Sequence, residues 1–114
     1  MTDFKQDDEE TPVIFRKYGA RRGGDVIALF PAEAAHVEND GMCSCYAHVG
    51  QHGSADPWAV INQTRPATPE EYASLKAELE GRPYGYRLKV YTRLQRSFRE
   101  AREAQCREWQ RRRA

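Results

Sequence analysis

Residues 43–56 read CSCYAHVGQHGSAD, and no other stretch of the chain gathers so many groups able to do chemistry. Cys43, Cys45, His48, His52 and Asp56 are all competent zinc ligands, and four would complete a site. Their spacing opposes this. On a strand over 42–49, Cys43 and Cys45 point to one face and His48 to the other. The strong zinc patterns pair two cysteines with a second pair further on, and here Cys106 and His36 stand alone. A catalytic reading would set Cys45 or Ser54 beside His48 or His52, with Asp56 as orienting group. The flanking residues match no nucleophile elbow or cysteine-hydrolase signature. A metal-binding or hydrolytic enzyme centred on His48, His52 and Asp56 therefore stays the minor alternative, and no metal, cofactor or catalytic residue is expected. The structural reading is simpler. Cys43 and Cys45 fill a buried sheet face as small apolar groups. Gly50 and Gly53 serve a tight loop, and Asp56 caps the next turn. A loop held on a sheet can also present a binding surface, here Tyr46, His48, Gln51, His52 and Asp56.

The second candidate is the basic end. Residues 1–81 carry 7 basic against 14 acidic residues, a net charge of −7; residues 82–114 carry 11 against 3, a net +8. Such polarity predicts an electrostatic partner, or attraction of one half of the chain for the other. In YRLKVYTRL, 86–94, Tyr86, Leu88, Val90, Thr92 and Leu94 alternate with Arg87, Lys89, Tyr91 and Arg93. That pattern predicts a strand with one buried and one solvated, basic face. Arg96, Arg99, Arg102 and Arg107 continue the charge. Arginines with an interleaved aromatic suit phosphates and a stacked base. The acids Glu100, Glu103 and Glu108 weaken that reading, because they pair with arginines one turn away. The predicted basic binding face is Arg87, Lys89, Tyr91, Arg93, Arg96 and Arg99.

The elements that position these groups are legible in outline. Residues 1–11 read as a disordered acidic tail. Strands are predicted over 13–18, 25–30 and 42–49, the first two as an antiparallel hairpin across GARRGG. That glycine-rich turn lacks the pattern of a phosphate-binding loop. Pro31 ends the second strand, 31–41 is a loop, and GQHGSADP is a tight loop. A short helix starts at Asp56 as N-cap with Pro57 first. In ATPEEYASLKAELEG, Thr68, Pro69 and Glu71 form a capping box and Gly81 closes the helix. From Gln95 onward there is no Gly or Pro, and Phe98, Ala101, Gln105 and Trp109 mark a thin stripe on a long helix. The expected fold is α+β: an antiparallel sheet of about four strands with helices on one face. The chain divides into the tail 1–11, an α+β domain over 12–94 and the basic helix 95–114. Its 114 residues suit one domain, and three cysteines fit a reducing compartment. No apolar run reaches membrane-spanning length, so a cytoplasmic protein is expected.

VIFRK, DVIALFP, CYAHVGQHGSAD, TRPATPEEYASLKAELE and the YRLKVY strand together resemble a family of small uncharacterised proteins of bacteriophages, prophages and conjugative elements. The resemblance covers about residues 12–94. It is most specific at Gly50–Gly53, with Tyr46 and His48 ahead and Asp56 behind. It implies a setting rather than a mechanism, and the arginine-rich segment after Leu94 departs from the family pattern. The expected function is that of a small non-enzymatic accessory protein that binds a macromolecule. A host or phage protein is the first partner class, nucleic acid the second and a membrane is not expected. Phe98 and Trp109 leave self-association as a homodimer open.

Overall fold

The structure is a computed structural model and describes residues 10–19, 24–47 and 51–113. The readings placed on 1–9, 20–23 and 48–50 lie outside the described residues, His48 among them. The fold is α+β, as expected. Among the described residues six strands form one sheet: β1 (Thr11–Tyr18), β2 (Val26–His36), β3 (Asn39–Tyr46), β4 (His52–Ala55), β5 (Thr64–Pro66) and β6 (Leu88–Val90). Three helices among the described residues accompany them: α1 (Pro57–Gln63), α2 (Pro69–Glu80) and α3 (Arg96–Arg113). The sheet order is β4-β3-β2-β1-β5, with β6 beside β1.

β1 and β2 form the expected antiparallel hairpin, with Ile14 opposite Leu29 and Phe15 opposite Ala28. On its other side β1 is shared. β5 pairs antiparallel with Arg16–Tyr18, and β6 pairs parallel with Thr11–Val13. The sheet is thus antiparallel except at this short contact. Period-two alternation along β1 and β2 divides the core between two faces. Val13, Phe15, Ala28, Phe30 and Tyr46 meet Leu75 and Leu79 of α2. Ile14, Leu29, Cys43 and Cys45 meet Ala55, Val60 of α1 and Leu94. Helices therefore cover both faces, not one. β1 and β2 each carry a run of four buried residues, so both of their faces need cover.

Four further expectations are corrected. Pro31 does not end β2. The ladder passes from Phe30–Ser44 to Ala34–Cys43, so Pro31, Ala32 and Glu33 stand against no partner on β3. Proline lacks the N–H a regular ladder needs, and a bulge accommodates that lack. The predicted loop 31–41 is instead the end of β2, a tight turn and the start of β3. The segment read as a tight loop contains β4, which pairs antiparallel with β3, Tyr46 opposite His52 and Cys43 opposite Ala55. The strand predicted over 86–94 is only three residues long. After Val90 the chain crosses to the opposite face, where Tyr91 and Leu94 pack.

The helices start where their sequence directs. Asp56 caps α1, its Oδ1 accepting from Trp58 N at 3.0 Å and Ala59 N at 3.4 Å, with Pro57 in the first position. Thr68 and Glu71 form the complete capping box of α2: Thr68 Oγ1 accepts from Glu71 N at 3.2 Å, and Glu71 Oε1 from Thr68 N at 2.9 Å. The end of α1 is closed from the sheet. Arg16 donates from Nε to Thr64 Oγ1 at 2.9 Å and from Nη2 to the carbonyls of Ile61 and Thr64 at 3.1 and 2.7 Å. A guanidinium at a helix C-terminus meets both the orphan carbonyls and the negative end of the dipole.

Candidate functional site

The cysteine–histidine stretch divides between two faces, as its alternation predicts. Cys43 and Cys45 are buried free thiols among Ile14 and Leu29. Burial pushes the Cys43 thiol up to about 12, so it carries no thiolate at neutral pH. Tyr46 lies on the opposite face and is fully buried, so it is core rather than loop surface. Its hydroxyl donates to Glu78 Oε2 and lies 3.5 Å from the Tyr84 hydroxyl. A buried tyrosine needs such a partner for its O–H. The rings of Tyr46, His52 and Tyr84 meet edge to face, with centroids 4.6, 5.2 and 5.4 Å apart. Glu33, from the bulge of β2, joins this layer. Burial raises its carboxyl, while the Ser44 hydroxyl and the charge of His52 lower it in part. This layer ties the sheet to α2 and the turn after it. Among the described residues, no buried polar side-chain atom lacks a hydrogen-bond partner.

The groups proposed for metal or hydrolysis are not brought together. His52 opens β4 and Asp56 follows its end, about 13 Å apart at about 3.3 Å per residue. Asp56 is engaged as the α1 cap, and the Cys45 side chain lies on the other face from the His52 ring. Among the described residues, no three His, Cys, Asp or Glu side chains are placed to hold one ion. Gln51 is exposed and lines a cleft of about 370 Å³ with Asp25, Glu71 and Ser74. In that cleft Glu71 is bound by Arg65 through two hydrogen bonds of 2.8 and 2.7 Å.

The basic segment is reorganised more deeply. Its buried stripe is Phe98, Arg102 and Cys106, not the predicted Phe98, Ala101, Gln105 and Trp109. Arg102 is 3% exposed. It donates from Nη1 to the carbonyl of Pro31 and from Nε to that of Asp40 at 2.7 Å. Gln105 binds the bulge as a backbone mimic: Ala34 N donates to its Oε1 at 2.9 Å, and its Nε2 donates to Ala32 O at 2.8 Å. Cys106 Sγ reaches His36 O at 3.1 Å and Gln110 Nε2 reaches Val37 O at 2.9 Å. One face of α3 thus satisfies the backbone groups that the irregular β2–β3 ladder leaves open. Arg99 pairs with Asp40 at 3.1 Å and Glu103 at 3.2 Å. Tyr91, predicted to face solvent, packs edge-on to Phe98 at 5.0 Å, with Lys89 Nζ 5.5 Å from its ring centre.

The group that sequence reasoning missed is Trp58, 61% exposed and the one exposed large hydrophobic side chain among the described residues. It stands in the first turn of α1 between two clefts. One, of about 310 Å³, is lined with Leu94, Arg96 and Arg99; the other, of about 280 Å³, with Arg16, Ile61 and Arg93. Among the described residues Arg93 and Arg96 have no carboxylate within ion-pair distance. The available signal was placement: a tryptophan just inside a capped helix must stand near the cap. Its neighbours came from a segment over thirty residues away, which periodicity cannot reveal. Comparison with family models, curated proteins and solved structures gave no match.

Proposed function

We propose that the chain is a non-enzymatic binding module of a phage or mobile element, and that it takes an acidic protein surface on Trp58, Arg93 and Arg96. The exposure of Trp58 between two arginine-lined clefts carries this reading. Tryptophan and arginine dominate protein–protein hot spots, where one anchor contributes about 2 kcal/mol or more. A rigid indole supplies apolar area, and the flanking guanidiniums bind carboxylates bidentately. The sequence resemblance supplies the phage setting, with a host or phage protein as partner. No helix among the described residues is long and apolar enough to cross a membrane.

The test is quantitative capture from host and phage-infected lysates on wild type, Trp58→Ala and Arg93→Glu/Arg96→Glu. The expected result is a protein retained by wild type and lost from both variants. Equal retention by all three would sink the reading. Nucleic acid is the second reading, because an exposed indole beside free arginines also suits a stacked base and its phosphates. Titration with single-stranded DNA at two salt concentrations separates the two. Only the nucleic-acid reading predicts Trp58-dependent affinity that falls steeply with salt.

A further inference from the structure

We propose that the acidic N-terminal segment of this same chain, residues 1–10, is a resident occupant of the Trp58 clefts. It would act as a built-in competitor for the acidic partner, so the inference concerns regulation of the surface proposed above and rests on that reading. Three observations carry it.

The first is charge. Asp3, Asp7, Asp8, Glu9 and Glu10 stand against Lys5 alone in this segment. The described surface offers Arg93 and Arg96 at the clefts, while further along α3 every arginine but the exposed Arg107 has a partner within the chain. Arg99 pairs with Asp40 and Glu103, Arg111 and Arg112 with Glu108, and Arg113 with Glu38.

The second is reach. The segment enters the fold at Thr11, and Arg16 on the same strand lines the cleft that Trp58 and Arg93 share. Five residues of strand span about 17 Å. Phe4 lies seven residues before Thr11, a reach of about 24 Å when extended. Phe4 can therefore come to Trp58 and set the carboxylates along the arginines.

The third is tethering. Covalent attachment at Thr11 makes the contact intramolecular and raises its effective concentration, so an aromatic contact with two or three screened ion pairs suffices for occupancy. The contact is weak enough for a better acidic ligand to displace it.

The experiment uses the full-length ¹⁵N-labelled chain and reads the indole N–H of Trp58, assigned by Trp58→Phe. Wild type is compared with a variant neutralised at five positions: Asp3→Asn, Asp7→Asn, Asp8→Asn, Glu9→Gln and Glu10→Gln. The expected result is a shifted Trp58 signal in the variant and an unmoved Trp109 signal. High salt should move the wild-type signal toward the variant's position. A synthetic peptide of residues 1–10 added to the variant should move its signal back, and a neutralised peptide should not. An identical Trp58 signal in both proteins at low salt would falsify the proposal. A difference that fades on dilution would overturn occupancy within one molecule and assign the segment to a second copy. Failure here leaves the loss of lysate capture by Trp58→Ala standing, so the two readings fail separately.

Discussion

At the scale of single residues, the cysteines of the stretch richest in reactive groups are chemically quiet, and burial is the reason. Cys43, Cys45 and Cys106 are all buried, and desolvation raises each thiol. A thiol reagent such as dithiobis-nitrobenzoate should find none of the three in the native protein and all three in denaturant. A fast-reacting native thiol would contradict the packing of Cys43 and Cys45 under α1. Glu33 makes a pH prediction. Burial raises its folded carboxyl above the unfolded value of about 4.3. The native state then holds a proton that the unfolded chain has released, so stability falls as pH rises through this window. Glu33→Gln removes the titration. The variant should gain stability relative to wild type between pH 4 and pH 7 in urea unfolding, and a pH-independent difference would refute the assignment. Glu71 has the opposite sign. The Arg65 side chain, helped by the Thr68 N–H, lowers it to about 2, so its contribution is present above the ordinary carboxylate range and lost toward pH 2.

At the scale of elements, local signals were legible and relations between elements were not. The caps of α1 and α2 could be read from Asp56-Pro57 and from Thr68, Pro69 and Glu71, because a cap is a contact within four residues. The faces of Cys43, Cys45 and Tyr46 followed from alternation. The continuation of β2 through Pro31 could not be read, because what makes it tolerable lies seventy residues away. Arg102 and Gln105 take up the bulge's carbonyls, and in the sequence Arg102 resembles a residue of a solvated helix. This difference has a measurable consequence. Removal of the Arg102 guanidinium leaves the Pro31 and Asp40 carbonyls without their donor in a buried place, and charged hydrogen bonds contribute about 1.5–3 kcal/mol each. Arg102→Ala should therefore cost about 3 kcal/mol. Arg102→Lys should recover less than half of that, because one ammonium does not reproduce the fork. Arg99→Ala, which breaks only exposed pairs, should cost under about 1 kcal/mol. Urea midpoints of the three variants give the order. Equal losses at 99 and 102 would mean that the Arg102 contacts do not hold the bulge.

At the scale of the whole molecule, the charge polarity of the sequence is answered partly inside the fold. Arg99 and Arg113 of the basic half meet Asp40 and Glu38 of the acidic half. These pairs are exposed and orient α3 more than they stabilise it. What fixes α3 is the apolar and backbone contact beneath it. Phe98 and Cys106 are buried, and Arg102, Gln105, Cys106 and Gln110 bind six backbone groups between Pro31 and Asp40. The face that α3 helps to cover includes Leu29 and Cys43 on the two central strands. A chain ended after Gln95 would leave the bulge's carbonyls unpaired and expose that face to water. Both changes cost free energy on the scale of a small domain's whole stability, about 5–15 kcal/mol. Residues 1–95 should thus lose cooperative unfolding and bind an apolar dye, while Arg111→Gln/Arg112→Gln/Arg113→Gln, which keeps the buried stripe and lowers only the terminal charge, should unfold as wild type. Cooperative unfolding of the truncated chain would show that the sheet and α2 stand alone and that α3 is an attached arm. Its failure beside a sound triple variant would show that α3 belongs to the core through its inner face. The arginines around Trp58, which hold no part of that inner face, then remain available to a partner.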